Sequence, residues 1–148
     1  LMTKSCTVQQ LQAQFGIDTL VAHVEVTSTQ LQSLGTSSKT IIAAAGLNKV
    51  LDIISLSVYG QFGTTAYDFS GDLEFDCNGT SFGQLASGSA NLSADYALKT
   101  IIGGGSGNSL ALSGNSPLRL TTSGNPTQGD GKLFVNVYYR VLTLGTTF

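Results

Sequence analysis

Residues 132–143, KLFVNVYYRVLT, constrain the fold more than any other stretch of the chain. Leu133, Val135, Val137, Tyr139 and Val141 fall on one side of an extended backbone, and Lys132, Phe134, Asn136, Tyr138 and Arg140 fall on the other. Period-two alternation in β-branched and aromatic residues, entered through Gly129-Asp130-Gly131, predicts a half-buried strand. Burying each inward side chain is worth about 1.5–3 kcal/mol before ordering entropy is subtracted. A strand with that much to bury is expected at the centre of an all-β domain.

Shorter segments repeat the signature. Residues 18–27 alternate, with Leu20, Ala22, Val24 and Val26 expected inward and Val21, His23 and Glu25 outward. Over 28–34 the period changes. Ser28 reads as an N-cap, Leu31 and Leu34 lie three apart and Gly35 stops the turn, which predicts one short helical turn. Further strands are expected over 39–43, 49–60, 72–77, 95–102, 110–112 and 118–122, with a short extended piece at 64–68. Within 49–60, Ile54, Leu56 and Val58 share one face while Leu51 and Ile53 fall on the other, so a β-bulge is predicted near Ile53. Residues 78–91 read as a Gly/Ser-rich loop anchored by Phe82 and Leu85, and 103–108 as a wide glycine loop.

Eight or nine strands at roughly 8–12-residue spacing, with no long amphipathic helix, predict an antiparallel β-sandwich of jelly-roll type over residues 18–148. The absence of Trp, and so of a Cys–Trp–Cys spacing, disfavours an immunoglobulin arrangement. Residues 1–17 are different in kind, rich in Gln and Thr, and read as an N-terminal arm. Val8, Leu11 and Phe15 allow a short helix in it, and with Ile17 they are its expected docking residues.

Only 11% of the residues are charged, less than half the usual ~25%. Ser, Thr, Asn, Gln and Gly must therefore make most of the solvated surface, which is weakly protected against association. Such a surface suits a part covered by copies of itself or by a larger assembly; an extracellular domain with a Ser/Thr-rich exterior has the same composition. A net charge of −2 and seven scattered Lys and Arg argue against nucleic acid as a partner. No window reaches the ~18 apolar residues of a membrane span, and the opening residues lack the charged-then-apolar order of a leader. Cys6 and Cys77 are too few for a disulfide framework and read as two free thiols.

Chemistry-bearing residues are sparse. His23 is the single histidine, beside Glu25 on the outward face of its strand, and no nucleophile elbow (Gly-x-Ser-x-Gly leading from strand to helix) places a serine for attack. Asp68, Asp72, Glu74 and Asp76 form the densest acidic group, the last three pointing the same way along one strand. They could hold Ca²⁺ if loops supplied carbonyls, or pair with Lys49, Lys99 or Arg140, or keep a sheet edge soluble. Gly103 to Gly107 lack the Lys of a phosphate loop. Tyr59, Phe62, Tyr67, Phe69 and Tyr138 could make a sugar platform, although an aromatic patch rimmed by small polar residues also describes a subunit contact. The residues themselves call for no catalytic group and no cofactor.

Three groups of segments carry a resemblance. They are Val26-Thr27-Ser28-Thr29-Gln30-Leu31 with Thr40 to Gly46; Phe62-Gly63-Thr64-Thr65-Ala66-Tyr67; and Asn115-Ser116-Pro117-Leu118 with Gly129-Asp130-Gly131 and Val137 to Val141. In this order they resemble a broad group of small tailed-bacteriophage virion proteins, over about residues 19–144. That resemblance implies a non-enzymatic virion part, assembled in the host cytoplasm, often found beside the major capsid protein. Within the group, roles in head decoration (cement), head fibres or the tail are expected, and no catalytic residues come with it. For this chain the expectation is a decoration protein, a homotrimer whose partners are itself and the major capsid or other virion proteins. The arm would dock on the capsid or a neighbouring copy, and the outer faces of strands 49–60 and 131–143, with Tyr59, Phe62 and Tyr138, would meet sister subunits. Two alternatives stand beside it: a tail, baseplate or receptor-binding part of the same fold, and a glycan-binding or hydrolase accessory domain using His23 or the Asp72 group.

Overall fold

The structure is a computed structural model; it describes residues 19–101 and 114–145, and over 96–101 the backbone alone. In chain order the elements are β1 (Leu20–Val26), α1 (Ser28–Gln32), β2 (Lys39–Ile42), β3 (Lys49–Gln61), β4 (Leu73–Cys77), β5 (Thr80–Leu85), α2 (Ser87–Ala90), β6 (Tyr96–Ile101), β7 (Leu118–Thr122) and β8 (Lys132–Thr143). Two four-stranded antiparallel sheets pack into an all-β sandwich. A long sheet has the order β1-β8-β3-β6 and a short one the order β2-β7-β4-β5. Strands at matching places in the two orders are consecutive in the chain. The connection from β6 to β7 runs through residues 102–113, outside the described residues, and so do the expected strand at 110–112, the glycine loop at 103–108 and the arm residues Val8, Leu11, Phe15 and Ile17.

β8 lies inside the long sheet, paired with β1 from Leu133 to Tyr139 and with β3 along its whole length. Leu133, Val135 and Val137 are fully buried and meet Leu56 and Val58 of β3 and Leu73, Phe75, Leu118 and Leu120 of the short sheet in one core. Beyond Tyr138 the simple alternation lapses. Tyr139 and Val141 are half-buried, while Leu142 is buried. The physical reason is length: β3 and β8 run 13 and 12 residues, against 4 to 6 in the short sheet, so their far halves project past it. On the other face of that projection Val50 and Leu142 are paired, and the turn at Gly114–Ser116 is tied beside them by Asn115 N–H donating to Lys49 O at 2.7 Å.

The predicted bulge is present. The β3–β8 register shifts between Ile53 and Ser55, so Leu51, Ile53, Leu56 and Val58 all reach the core and Ile54 is turned out, 50% exposed. The shift brings Leu51 and Ile53 inward, as the predicted bulge requires, and corrects only the placing of Ile54 on the face of Leu56 and Val58. Leu20 is likewise exposed, because it begins an edge strand at the projecting end.

Other expectations shift by local chemistry. Thr27, one residue earlier than expected, is the N-cap of α1: its Oγ1 accepts from Gln30 N–H while Gln30 Oε1 accepts from Thr27 N–H, a reciprocal capping box. Leu31 and Leu34 plug the core from that turn. Gly35 then passes so close to the backbone of Gly124 that a Cβ would stand 2.6 Å from its carbonyl carbon. Residues 64–68 are loop, not strand. Residues 78–91 are not simply loop: Asn78 and Gly79, both at positive φ, close a two-residue hairpin between β4 and β5. Phe82 and Leu85 anchor it from within β5, buried as expected.

Candidate functional site

The inner face of the long sheet is filled by the short sheet, and its outer face carries the side chains of opposite parity. Cross-strand register sets them in rows. Val21 lies opposite Tyr138 and Tyr138 opposite Ser55; His23, Asn136 and Ser57 form the next row; Glu25, Phe134 and Tyr59 the third. Tyr138 is 43% exposed and Tyr59 37%, with Val21 and the bulged Ile54 also open to solvent. Tyr59 and Phe134 stack at 6.0 Å between ring centroids, tilted by 40°. The result is a broad face of aromatic, aliphatic and small polar groups.

Two ion pairs lie among its described residues. Lys132 Nζ lies 2.8 Å from Glu25 Oε1, and Arg140 donates from Nε at 3.0 Å to Asp52 Oδ2, with Nη2 closer still. Exposed pairs of this kind contribute only about 0–1 kcal/mol each to stability. His23 Nδ1 faces Asn136 Oδ1 at 2.5 Å, so its partner is an amide and not Glu25, which is taken by Lys132. Phe62, the third expected interface aromatic, is half-buried at the end of β3, where its N–H donates to Asp95 Oδ1 at 2.7 Å.

The four acidic residues are brought to different places. Asp68 accepts from Thr127 N–H at 2.7 Å, from Thr127 Oγ1 at 2.5 Å and from Gln128 N–H. Asp72 accepts from Gln84 Nε2 and from Ser87 N–H, fastening the start of α2. Asp76, buried, pairs with Arg119 Nη2 at 3.0 Å across the β4–β7 ladder and accepts Gly79 N–H at 2.7 Å, which holds the hairpin turn. Glu74 is exposed and opposite Thr121. With Asp72, Thr121, Thr122 and Ser123 it lines an open groove of about 350 Å³ on the outer face of the short sheet. Among the described residues no group of three or more His, Cys, Asp or Glu is placed to hold a metal ion. Cys77 is a free thiol inside the core, its pKa raised by burial and then by the charge of Asp76. No helix among the described residues is long and apolar enough to cross a membrane.

A constellation not anticipated from the sequence fastens one end of the sandwich. The loop after β3 and the loop before β8 exchange carboxylates. Asp130 takes the N–H groups of Thr64 and Thr65 and the Thr64 hydroxyl, while Asp68 takes Thr127 and Gln128. These hydrogen bonds, the threonine hydroxyls first, hold both carboxyls below the usual 3.8. Between them Tyr67 is buried against Phe69, and its hydroxyl donates to Gly131 O at 2.7 Å. Partners about sixty residues apart leave no local pattern, so only the turn signal Gly129-Asp130-Gly131 was visible beforehand.

No family model and no curated protein matches the chain. Among solved structures, a chain of the cyanophage Pam1 capsid asymmetric unit is similar in fold, with a TM-score of 0.54 and 17% sequence identity, over 82% of this chain and 84% of that one.

Proposed function

We propose that this chain is a non-enzymatic structural component of a bacteriophage virion, and within the virion a decoration protein that stabilises the head by adding contacts between subunits. The observation that carries the reading is the likeness of fold to a chain of a phage capsid asymmetric unit, spanning more than four-fifths of both chains. A low charge content agrees with it, as do the Lys132–Glu25 and Arg140–Asp52 pairs on the outer sheet face. In this reading the partners are further copies, as a homotrimer, and the major capsid protein. Many contacts of ordinary size, about 800 Å² per partner, would together resist internal pressure without high affinity at any one of them. Imaging assembled particles tests it. Density for this chain on the head surface, and earlier genome release from particles lacking it, are expected; particles with no copy on the head would overturn it.

The groove over Asp72 and Glu74 favours one second reading, a tail or receptor-binding part of the same fold. Binding to glycans in an array, lost in Glu74→Ala, would support that reading over decoration.

A further inference from the structure

We propose that Asn78 is a modification site: its side-chain amide converts slowly to a carboxylate through a cyclic imide with Gly79, and Asp76 sets the rate by holding the Gly79 amide. Asparagine is among the chemically labile side chains, and most so before glycine, whose lack of a side chain leaves its nitrogen unhindered. Two dipeptides of the chain can close such a ring, Asn78-Gly79 and Asp130-Gly131, the single Asn-Gly and the single Asp-Gly in the sequence. The structure separates them. Gly131 is enclosed, and a Cβ there would stand 2.7 Å from Gln61 O and 2.9 Å from Leu92 Cδ1. The donors of Thr64 and Thr65 keep the Asp130 carboxyl ionised, and an ionised carboxyl is a poor acyl group. Asn78 and Gly79 are both exposed, and a Cβ on Gly79 would meet no atom beyond its chain neighbours within 4 Å.

Backbone geometry is what restrains the exposed pair. Asn78 and Gly79 are the two loop residues between the paired Cys77 and Thr80, at φ 52° and 78°. Gly79 N–H donates to Asp76 Oδ2 at 2.7 Å. The same oxygen accepts from Arg119 Nη2 of β7 at 3.0 Å, so the group that holds the turn is itself fastened to the sheet. For the ring to form, Gly79 N must leave Asp76 and turn onto Asn78 Cγ. The N–Cγ bond then forms, the Cγ–Nδ2 bond breaks, and ammonia departs with the proton from Gly79 N. One water opens the imide. Attack at Cγ gives aspartate in the normal chain; attack at the Asn78 main-chain carbonyl gives isoaspartate, with Gly79 joined through Cγ. No group is oxidised or reduced, and water is the co-reactant. Isoaspartate adds a backbone carbon to a two-residue turn whose twist matches its strands, so that end of the hairpin loosens. The site does not depend on the virion reading. In a virion part, made once and not renewed, the converted fraction would grow with age.

The test incubates the full-chain wild type, Asp76→Ala and Asp76→Asn at mildly alkaline pH and follows residue 78 by peptide mapping in a mass spectrometer. The wild type unfolded in urea is the reference. In the folded chain, conversion is expected at Asn78 and not at Asp130, more slowly than in urea. Asp76→Ala should convert faster than the wild type, on the order of tenfold, because a hydrogen bond to a charged group no longer opposes local opening. Asp76→Asn keeps an oxygen that can accept from Gly79 and should stay nearer the wild type. Native-state hydrogen exchange of the Gly79 amide needs no variant, and its protection should match the factor by which folding slows conversion. No conversion at residue 78 in the folded chain, once the urea reference is converted, would overturn the site. Equal rates in the wild type and Asp76→Ala, or a Gly79 amide that exchanges freely, would overturn the hold by Asp76. Matching acceleration in Leu51→Ala, a core change remote from the turn, would do the same by assigning conversion to global unfolding. Each of these failures leaves occupancy on the head, the test of decoration, as a separate measurement.

Discussion

Thr64 and Asp130 are joined three times over: the Thr64 N–H lies 2.8 and 3.0 Å from the two carboxylate oxygens, and its hydroxyl donates to Oδ2 at 2.6 Å. Asp68 and Thr127 repeat the arrangement in the opposite sense, with the aspartate now on the earlier loop. Each loop thus gives a carboxylate and receives one. Replacing Asp130 with Ala is expected to lower the thermal midpoint. Thr64→Ala made in the Asp130→Ala background should then cost less than it does alone, because both variants lose the same hydroxyl–carboxylate bond. Differential scanning fluorimetry of the four members of that cycle measures the coupling, and strict additivity would count against the clasp.

The same carboxylates set an acid limit. Both native pKa values are lowered, chiefly by threonine hydroxyl donors, whereas in the unfolded chain they return to the usual 3.8. As pH falls the unfolded state therefore takes up protons first. The stability these groups contribute is complete above the unfolded value and is lost as pH falls through the native one. A variant carrying Asp68→Asn and Asp130→Asn is expected to be less stable than the wild type near neutrality. The gap should close as pH falls from the usual carboxylate range through the lowered native values, as read by urea midpoints across the range. A constant gap at every pH would remove the ionised carboxylates from the explanation.

Tyr67 sets the corresponding alkaline limit. Burial, and then the nearby Asp130 charge, push its pKa up to about 12 from 10.0. Folded pKa exceeds unfolded, so its contribution is complete below the unfolded value and is lost as pH rises through the folded one. Tyr67→Phe removes the hydroxyl bond to Gly131 O and is expected to cost about 1 kcal/mol near neutrality, while making stability less steep between about pH 10 and 12. Gly129 lies against the same ring at φ +124°, where a Cβ would fall 2.0 Å from Tyr67 Cδ1. Gly129→Ala combines that overlap with a backbone conformation unfavourable to L residues and should destabilise by about 3 kcal/mol or more.

Period-two patterns told where most strands lie because each buries one face against a layer, and β8, with Leu133, Val135 and Val137 inward, is the clearest case. Pattern failed where burial does not follow strand parity. β5 (Thr80–Leu85) was hidden by its Ser and Gly, although Phe82 and Leu85 already marked its buried side. The carboxylates at Asp68, Asp72 and Asp76 look alike in sequence, yet a loop threonine, a helix start and an arginine on the neighbouring strand claim them separately. Spacing along a strand carries no information on which neighbour arrives. The outer face of β8 was legible as aromatic and polar, but the pairing of its charges depends on register with β1 and β3, which only the folded sheet supplies.

The bulge in β3 gives the sharpest test of that register. Leu51, Ile53 and Ile54 are all aliphatic, and a regular strand could bury either Ile54 or its two odd-numbered neighbours, not switch between them. With one extra residue opposite Tyr138 and Tyr139 the strand changes phase, so Leu51 is 2% exposed while Ile54 is 50% exposed. Leu51→Ala is therefore expected to destabilise by about 2–5 kcal/mol through lost burial and an unfilled cavity. Ile54→Ala should change stability by no more than about 0.5 kcal/mol, since its side chain already meets water. Urea midpoints for the two variants decide the matter. A large cost at Ile54 with a small one at Leu51 would mean that the strand runs without the bulge and that the rows across its outer face are displaced by one residue.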